Sequence, residues 1–345
     1  MLVLAVHAGL NNTSFGFIGV DMFFVLSGFL ITSLLLEEWE QSGTISLKSF
    51  YGRRALRLLP ALVVMLTVFV SYGFASLPSR KALRLLQEGL GALFYYANWS
   101  IAFGLGRPSL FLHTWSLSVE EQFYLLWPIA LLFLVKWTDR RSMFQWVLLG
   151  AVLSWVTRVV LFFVGTQVIS GNVFPIREER LFAGIDTRAD SLLLGCAAAL
   201  ALSAKLLSPG NRHVALRVAS PICALALAVI GYKSSVFEPW MICIGWFVVS
   251  ALCAVIILQL AVTQHTLLHR MLENPALVYT GKISYGLYLW HYPIFVLAER
   301  WRWAGGYLGA LLASVVAAVI SYYFIERPFL RLKERLKRTR PIEIQ

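Results

Sequence analysis

The residues best equipped for chemistry are His7 and Asp21, which lie in or beside long apolar runs. An ionisable side chain is costly there unless it has a partner or a task. A carboxylate near an imidazole fixes its tautomer and raises its basicity, as a general base requires. The plainer alternative is a structural polar contact between two helices. Arg53, Arg54 and Arg57 form a second group. Arg53 and Arg57 are four apart and share one helix face. Guanidiniums at a helix start, where the dipole is already positive, suit a bound phosphate. Anchoring of a span by cytoplasmic positive charge explains them equally simply.

Three further clusters follow. His113–Tyr124, reading HTWSLSVEEQFY, enters an apolar span. Ser118 and Glu121 match a capping box, which gives Glu121 a structural role. Glu120 has no such explanation, and Tyr124 lies on its face of the helix. With Trp115 and Ser116, these residues suit a hydroxylated ligand at the outer membrane face. In Asp186–Asp190, Asp186 reads as a helix cap, whereas Arg188 and Asp190 are either structural or part of a polar site. Finally, Ser284, Tyr288 and His291 fall at i, i+4 and i+7, one polar stripe on an otherwise apolar helix. Tyrosine and tryptophan near an interface are usually a belt, but His291 is deeper than a belt requires.

These residues are carried by membrane helices. Of the 345 residues 59% are hydrophobic, and the mean hydropathy is +0.71. The apolar residues come in blocks of about 20, the length that crosses hydrocarbon as a helix. They are continuous rather than alternating, which excludes a β-barrel. The expected fold is all-α, a polytopic integral membrane helical bundle with about ten transmembrane helices. They read as 1–9, 18–36, 55–76, 119–137, 146–165, 187–204, 215–232, 240–262, 283–299 and 305–325. The first looks like a helix missing its leading half. Residues 1–326 read as one membrane domain and 327–345 as a basic cytoplasmic tail.

The segment 85–103 is ambiguous: apolar enough to span, yet holding Gln87, Glu88, Asn98 and two glycines. If it does not cross, 19 basic residues fall on the cytoplasmic side and 10 outside, as the positive-inside rule demands. Both termini are then cytoplasmic, and 85–103 is re-entrant or buried against the bundle. The net charge of +12 belongs to this topology rather than to nucleic-acid binding, since seven basic residues follow the last span directly. Cys196, Cys223, Cys243 and Cys253 read as buried small hydrophobes, with no disulfide or metal. His265 and His269 are four apart but lack a nearby acid, so no metal is expected. No phosphate-binding GxxxxGK[ST] loop and no GxSxG elbow occurs.

Taken together, several stretches resemble the membrane-bound acyltransferase-3 family of bacterial surface-sugar O-acylating proteins. They are GVDMFFVLSGFLI at 19–31, Arg53-Arg54-x-x-Arg57, WSLSVEEQFY at 115–124, SYGLYLWH at 284–291 and Glu326-Arg327-Pro328. The resemblance implies about ten transmembrane helices and acyl-CoA, usually acetyl-CoA, as co-substrate, with no permanently bound cofactor. It implies a catalytic histidine at His7 and donor-binding arginines at Arg53, Arg54 and Arg57. Neither the family's arginine about ten residues before that histidine nor the appended esterase-like domain of some members is expected in this chain. The expected function is O-acylation of a cell-surface or lipid-linked carbohydrate, lipopolysaccharide among the options, at the bacterial inner membrane. Trp115, Ser116, Glu120, Tyr124, Arg188, Asp190, Tyr288 and His291 are the acceptor-side or structural polar residues. The competing expectation is an ion-coupled transporter using His7, Asp21, Asp186, Arg188 and His291, but no inverted repeat supports it.

Overall fold

The helices here are lipid-facing outside and polar inside. Along Arg140–Val164 the side chains of Trp146, Leu149, Leu153, Val156, Val160 and Phe163 are exposed, while Met143, Val147, Ala151, Ser154 and Arg158 are buried. From Trp146 onward the exposed face is entirely apolar, and the buried face carries the hydroxyl and the guanidinium. That is the reverse of a soluble helix, and it is stable only in hydrocarbon.

The structure, a computed structural model, describes residues 13–105, 110–169, 172–175, 178–206, 211–263, 266–303 and 305–338. In chain order the helices are α1 (Thr13–Ser42), α2 (Leu47–Ser76), α3 (Ser79–Leu93), α4 (Ala97–Ala102), α5 (Thr114–Trp137) and α6 (Arg140–Val164). A short antiparallel hairpin, β1 (Thr166–Ile169) and β2 (Asn172–Pro175), follows. Then come α7 (Glu178–Ala183), α8 (Ile185–Ser203), α9 (Asn211–Lys233), a π turn (Met241–Gly245) and α10 (Trp246–Val262). The last are α11 (Leu267–Leu272), α12 (Pro275–Lys282), α13 (Ser284–Arg300), α14 (Gly306–Ser321), a second π turn (Tyr322–Glu326) and α15 (Arg327–Arg338). The class is all-α, and the hairpin is confined to one connection.

Among the described residues, seven helices are long and apolar enough to cross a membrane: Phe15–Ser42, Leu47–Ser76, Thr114–Trp137, Arg140–Val164, Val214–Lys233, Met241–Val262 and Gly306–Leu332. Two further helices coincide with expected spans. Helix α8 has 19 residues but carries Asp186, Arg188 and Asp190, and α13 has 17 residues. The segment 85–103 is not one helix. It breaks between α3 and α4 at Tyr95, whose φ of 56° is left-handed.

The chain divides into two units. The first comprises Met1–Ile45, Tyr95–Arg107 and Trp115–Glu273, and the second comprises Ser46–Phe94, Pro108–Thr114 and Asn274–Gln345. In the first unit α1 and α8 touch backbone to backbone. A Cβ on Gly28 would lie 1.9 Å from the Leu192 carbonyl oxygen, and one on Gly195 would lie 2.0 Å from that of Val25. Small residues let membrane helices approach this closely, and Cys196, Ala197, Ala198 and Ala199 beside Gly195 are all buried. The π turn before α10 frees carbonyls from the helical ladder. Helix α6 takes them up: Arg158 Nε donates to the Ile242 carbonyl at 2.9 Å and Trp155 Nε1 to that of Cys243 at 2.5 Å. Asp139 caps α6. The Ser142 hydroxyl, the Ser142 N–H and the Arg141 N–H donate to its carboxyl, which these bonds hold below the usual carboxylate range.

In the second unit α3 folds back on α2, with Gly73 facing Leu85 and Gly89 facing Leu66 and Val70. Helices α13 and α14 form an antiparallel pair around Gly286, whose missing side chain leaves room for Ala318 and Glu326. The Tyr285 hydroxyl donates to the Leu58 carbonyl at 2.8 Å, tying α13 to α2.

Candidate functional site

The first turns of α8 carry a buried charge layer. Arg188 forms a short ion pair with Asp21 of α1. Its guanidinium carbon lies 4.8 Å from the Phe17 ring centroid and 4.9 Å from that of Trp246. Arg158 of α6 pairs with Asp190 at 2.8 Å, donates to the Thr187 carbonyl at 2.5 Å and lies 5.3 Å from Trp246. One indole therefore touches both guanidiniums. The four charged side chains are 0% exposed. Ser191 adds a hydrogen bond to Asp21 at 3.0 Å and meets Ser250 of α10 at 2.7 Å. Burying two ion pairs gains little net stability, but it makes each partner indispensable to the other.

This layer sorts the residues expected from sequence. Of the two roles open to Arg188 and Asp190, packing supplies the structural one. Asp21 is engaged by Arg188 and Ser191, while His7 lies outside the described residues. Asp186 is not a cap: Gly184 holds that position, and the Asp186 carboxylate accepts both guanidinium nitrogens of Arg180 at 2.9 and 2.5 Å. Arg158 and Trp246, central to the layer, have no signal in the sequence beyond Arg158 being a charge within a span.

Helix α5 docks along α1 through three matched rungs. Trp115 meets Phe24 edge-on at 6.2 Å. Glu120, 3% exposed, accepts from Ser27 and from Tyr124 at 2.5 Å each. Trp127 donates to Thr32 at 2.9 Å. The two Glu120 bonds are shorter than the Trp127 bond of the next rung. Ser116 is buried beside it. The capping box expected at Ser118 and Glu121 does not form, because α5 begins four residues earlier at Thr114, whose hydroxyl donates to the Phe111 carbonyl at 2.7 Å.

The second unit gathers two histidines. His113 stacks on Tyr292 with centroids 5.3 Å apart, and it meets His291 edge-on at 5.5 Å. The Tyr288 hydroxyl donates to the His113 carbonyl. His291 Nδ1 is 3.0 and 2.8 Å from the Leu287 and Tyr288 carbonyls. A carbonyl only accepts, so Nδ1 carries the proton and Nε2 the lone pair of the neutral ring. His113 was not among the expected site residues; only its place just before the Trp115 motif signals it. Ser284, the third member of the stripe, is exposed.

Arg53, Arg54 and Arg57 lie in the second and third turns of α2, not at its start, because the helix begins at Leu47. The dipole argument for a phosphate therefore does not apply to them. Their shared face remains: Arg53 is half-buried and donates to Ser49, and Arg57 is exposed. His269 is held by the Thr266 hydroxyl at 2.8 Å and the Leu260 carbonyl at 3.2 Å, and His265 lies outside the described residues.

One protein family, described as an acyltransferase domain, matches residues 1–326. The chain belongs to the acyltransferase-3 family. Within the family it is 34% identical over 349 aligned positions to the Peptidoglycan O-acetyltransferase OatA of Listeria monocytogenes, covering 94% of this chain and 53% of that protein. It is 30% identical to the O-acetyltransferase OatA of Staphylococcus aureus strain NCTC 8325, covering 94% of this chain and 54% of that protein. This acyltransferase-3 chain thus spans about half the length of the relatives it matches. No solved structure matches it.

Proposed function

We propose that this acyltransferase-3 chain is a membrane-bound O-acyltransferase that moves an acyl group, acetyl in the simplest case, from acyl-CoA to a hydroxyl of a cell-surface glycan. The unbroken match to an acyltransferase domain over residues 1–326, which includes His7, the three arginines and Glu120, carries this reading. The name of the Listeria relative favours peptidoglycan over lipopolysaccharide as the glycan. Acyl-CoA approaches from the cytoplasm, and Arg53, Arg54 and Arg57 hold its phosphates. His7 takes the proton from the sugar hydroxyl. The hydroxyl oxygen attacks the thioester carbonyl, the carbon–sulfur bond breaks, and the CoA thiolate takes the proton back from His7. Asp21 helps this step as a carboxylate that raises the basicity of His7, besides its part in the charge layer. The protein resides in the bacterial inner membrane with both termini cytoplasmic. A transporter reading finds two members of its expected path, Asp21 and Arg188, joined to each other in one buried ion pair.

Replacing His7 with Ala should reduce glycan O-acetylation to background while the protein still reaches the membrane at normal level. Counting O-acetyl groups released by mild base from the cell wall of a complemented deletion strain checks this. Acetylation at even a tenth of the parent's level with His7→Ala would remove His7 from the mechanism.

A further inference from the structure

The acceptor needs a place to bind, and most polar groups of the first unit are sealed inside it. Asp21 and Asp190 are fully buried and Glu120 nearly so. Asp186 is different, with its side chain 39% exposed. Its two oxygens receive the Arg180 guanidinium as a fork, and each oxygen keeps a second lone pair for another donor. Gly184 makes the fork possible, because a Cβ there would sit 2.0 Å from Arg180 Nη1.

Two aromatic rings adjoin this fork. Trp99 of α4 and Phe103, the residue just after that helix, lie parallel, with centroids 5.4 Å apart and planes within 14°. The Arg180 guanidinium carbon is 5.3 Å from the first ring and 5.9 Å from the second. Phe103 is 39% exposed and Trp99 half-buried, so ring surface is open to a ligand. The rings are rigidly mounted. Asn98, next to Trp99, is fully buried, donates to the Ala183 carbonyl at 3.1 Å and accepts from Gln122 of α5 at 2.8 Å. Gln122 also donates to the Tyr95 carbonyl at 2.6 Å, at the left-handed residue that ends α3 and lets α4 begin. This explains Asn98 in the ambiguous segment 85–103: it fastens a short helix.

The Ser154 hydroxyl donates to the Asp186 carbonyl at 2.8 Å, so α8 starts beside the middle of α6 rather than at either of its ends. The short helix α7 leads into the first turn of α8 and packs against α4. Parallel aromatic rings beside a partly exposed carboxylate–guanidinium fork match a sugar ring. Its apolar C–H face packs on the rings, and its hydroxyls bond to the fork.

We propose that Trp99, Phe103, Arg180 and Asp186 form a saccharide-binding platform that receives the acceptor glycan. This deepens the proposed function and rests on its carbohydrate acceptor. The test uses the full chain in lipid nanodiscs and a β-1,4-linked N-acetylglucosamine tetramer as probe, with binding read by isothermal calorimetry. The wild type should bind saturably. Trp99→Ala and Arg180→Gln should each weaken binding at least about tenfold, as loss of a central contact does. Trp99→Phe, which keeps a stacking ring, should stay within about threefold of the wild type. If Trp99→Ala fails to fold, Phe103→Ala removes an exposed ring and gives the same reading. No saccharide binding by the wild type, or equal binding by the folded ring variants, overturns the platform. Binding without any acetyl transfer by the wild type would instead leave the platform standing and remove the proposed enzymatic activity.

Discussion

Arg188→Met should cost the fold about 3–5 kcal/mol, because it leaves the Asp21 carboxylate buried with its cation gone. The pair is fully buried and braced by Phe17, Trp246 and Ser191, so water cannot replace the guanidinium without opening the contact between α1 and α8. The double variant Asp21→Leu with Arg188→Met removes both charges and should recover most of the lost stability, as buried pairs replaced by apolar residues usually do. Thermal unfolding in detergent measures both. The same double variant should stay inactive in acyl transfer if Asp21 supports the His7 step. Recovery of stability without recovery of activity thus separates the two contributions of Asp21. Equal stability of Arg188→Met and wild type would mean that the layer does not hold these helices together.

Gly195→Ala should destabilise by about 3 kcal/mol, the upper end for overpacking. The added methyl meets the Val25 carbonyl oxygen at 2.0 Å and the Phe29 nitrogen at 2.8 Å. Both are backbone atoms that cannot rotate away, so α1 and α8 must separate. Gly28→Ala should cost a similar amount, since its methyl meets the Leu192 carbonyl oxygen at 1.9 Å. The two together should cost less than their sum, because one separation relieves both clashes. Gly52→Ala is the control. It lies inside α2 with no atom near its added methyl, so it should be neutral or should stabilise by up to about 1 kcal/mol. If Gly195→Ala and Gly52→Ala unfold at the same temperature, the close crossing is not what holds the first unit.

The spans were legible because their signal is local. Helices α1, α2, α6 and α10 follow from continuous apolar runs alone, and a lipid-facing stripe such as Phe23, Leu26, Leu30 and Leu34 needs no partner to form. The motifs around Asp21, Glu120 and His291 were legible as polar residues in apolar surroundings. Their partners were not. Arg188 finds Asp21, and Arg158 finds Asp190, only through the register of α1 and α6 against α8, which no local pattern encodes. The Ser118–Glu121 box lost to a longer helix, whose start is set by the bond from Thr114 to Phe111. The arginines of α2 moved from a helix start to its interior, because Leu47–Phe50 continues the helix upstream. The break at Tyr95 depends on Gln122, 27 residues away in the chain, so 85–103 reads as ambiguous until α5 is in place. His113 was passed over because its neighbours Tyr288, His291 and Tyr292 come from the far end of the sequence.

Covalent transfer of an acyl group from acyl-CoA to a glycan hydroxyl can be followed with acetyl-CoA, labelled with carbon-14 in its acetyl group, enclosed in proteoliposomes that carry the full chain. Soluble peptidoglycan strands are supplied outside. Base-labile label should appear on the strands, grow with time and be absent with His7→Ala. Intact acetyl-CoA inside and unlabelled strands outside, with the protein folded in the bilayer, would contradict such transfer.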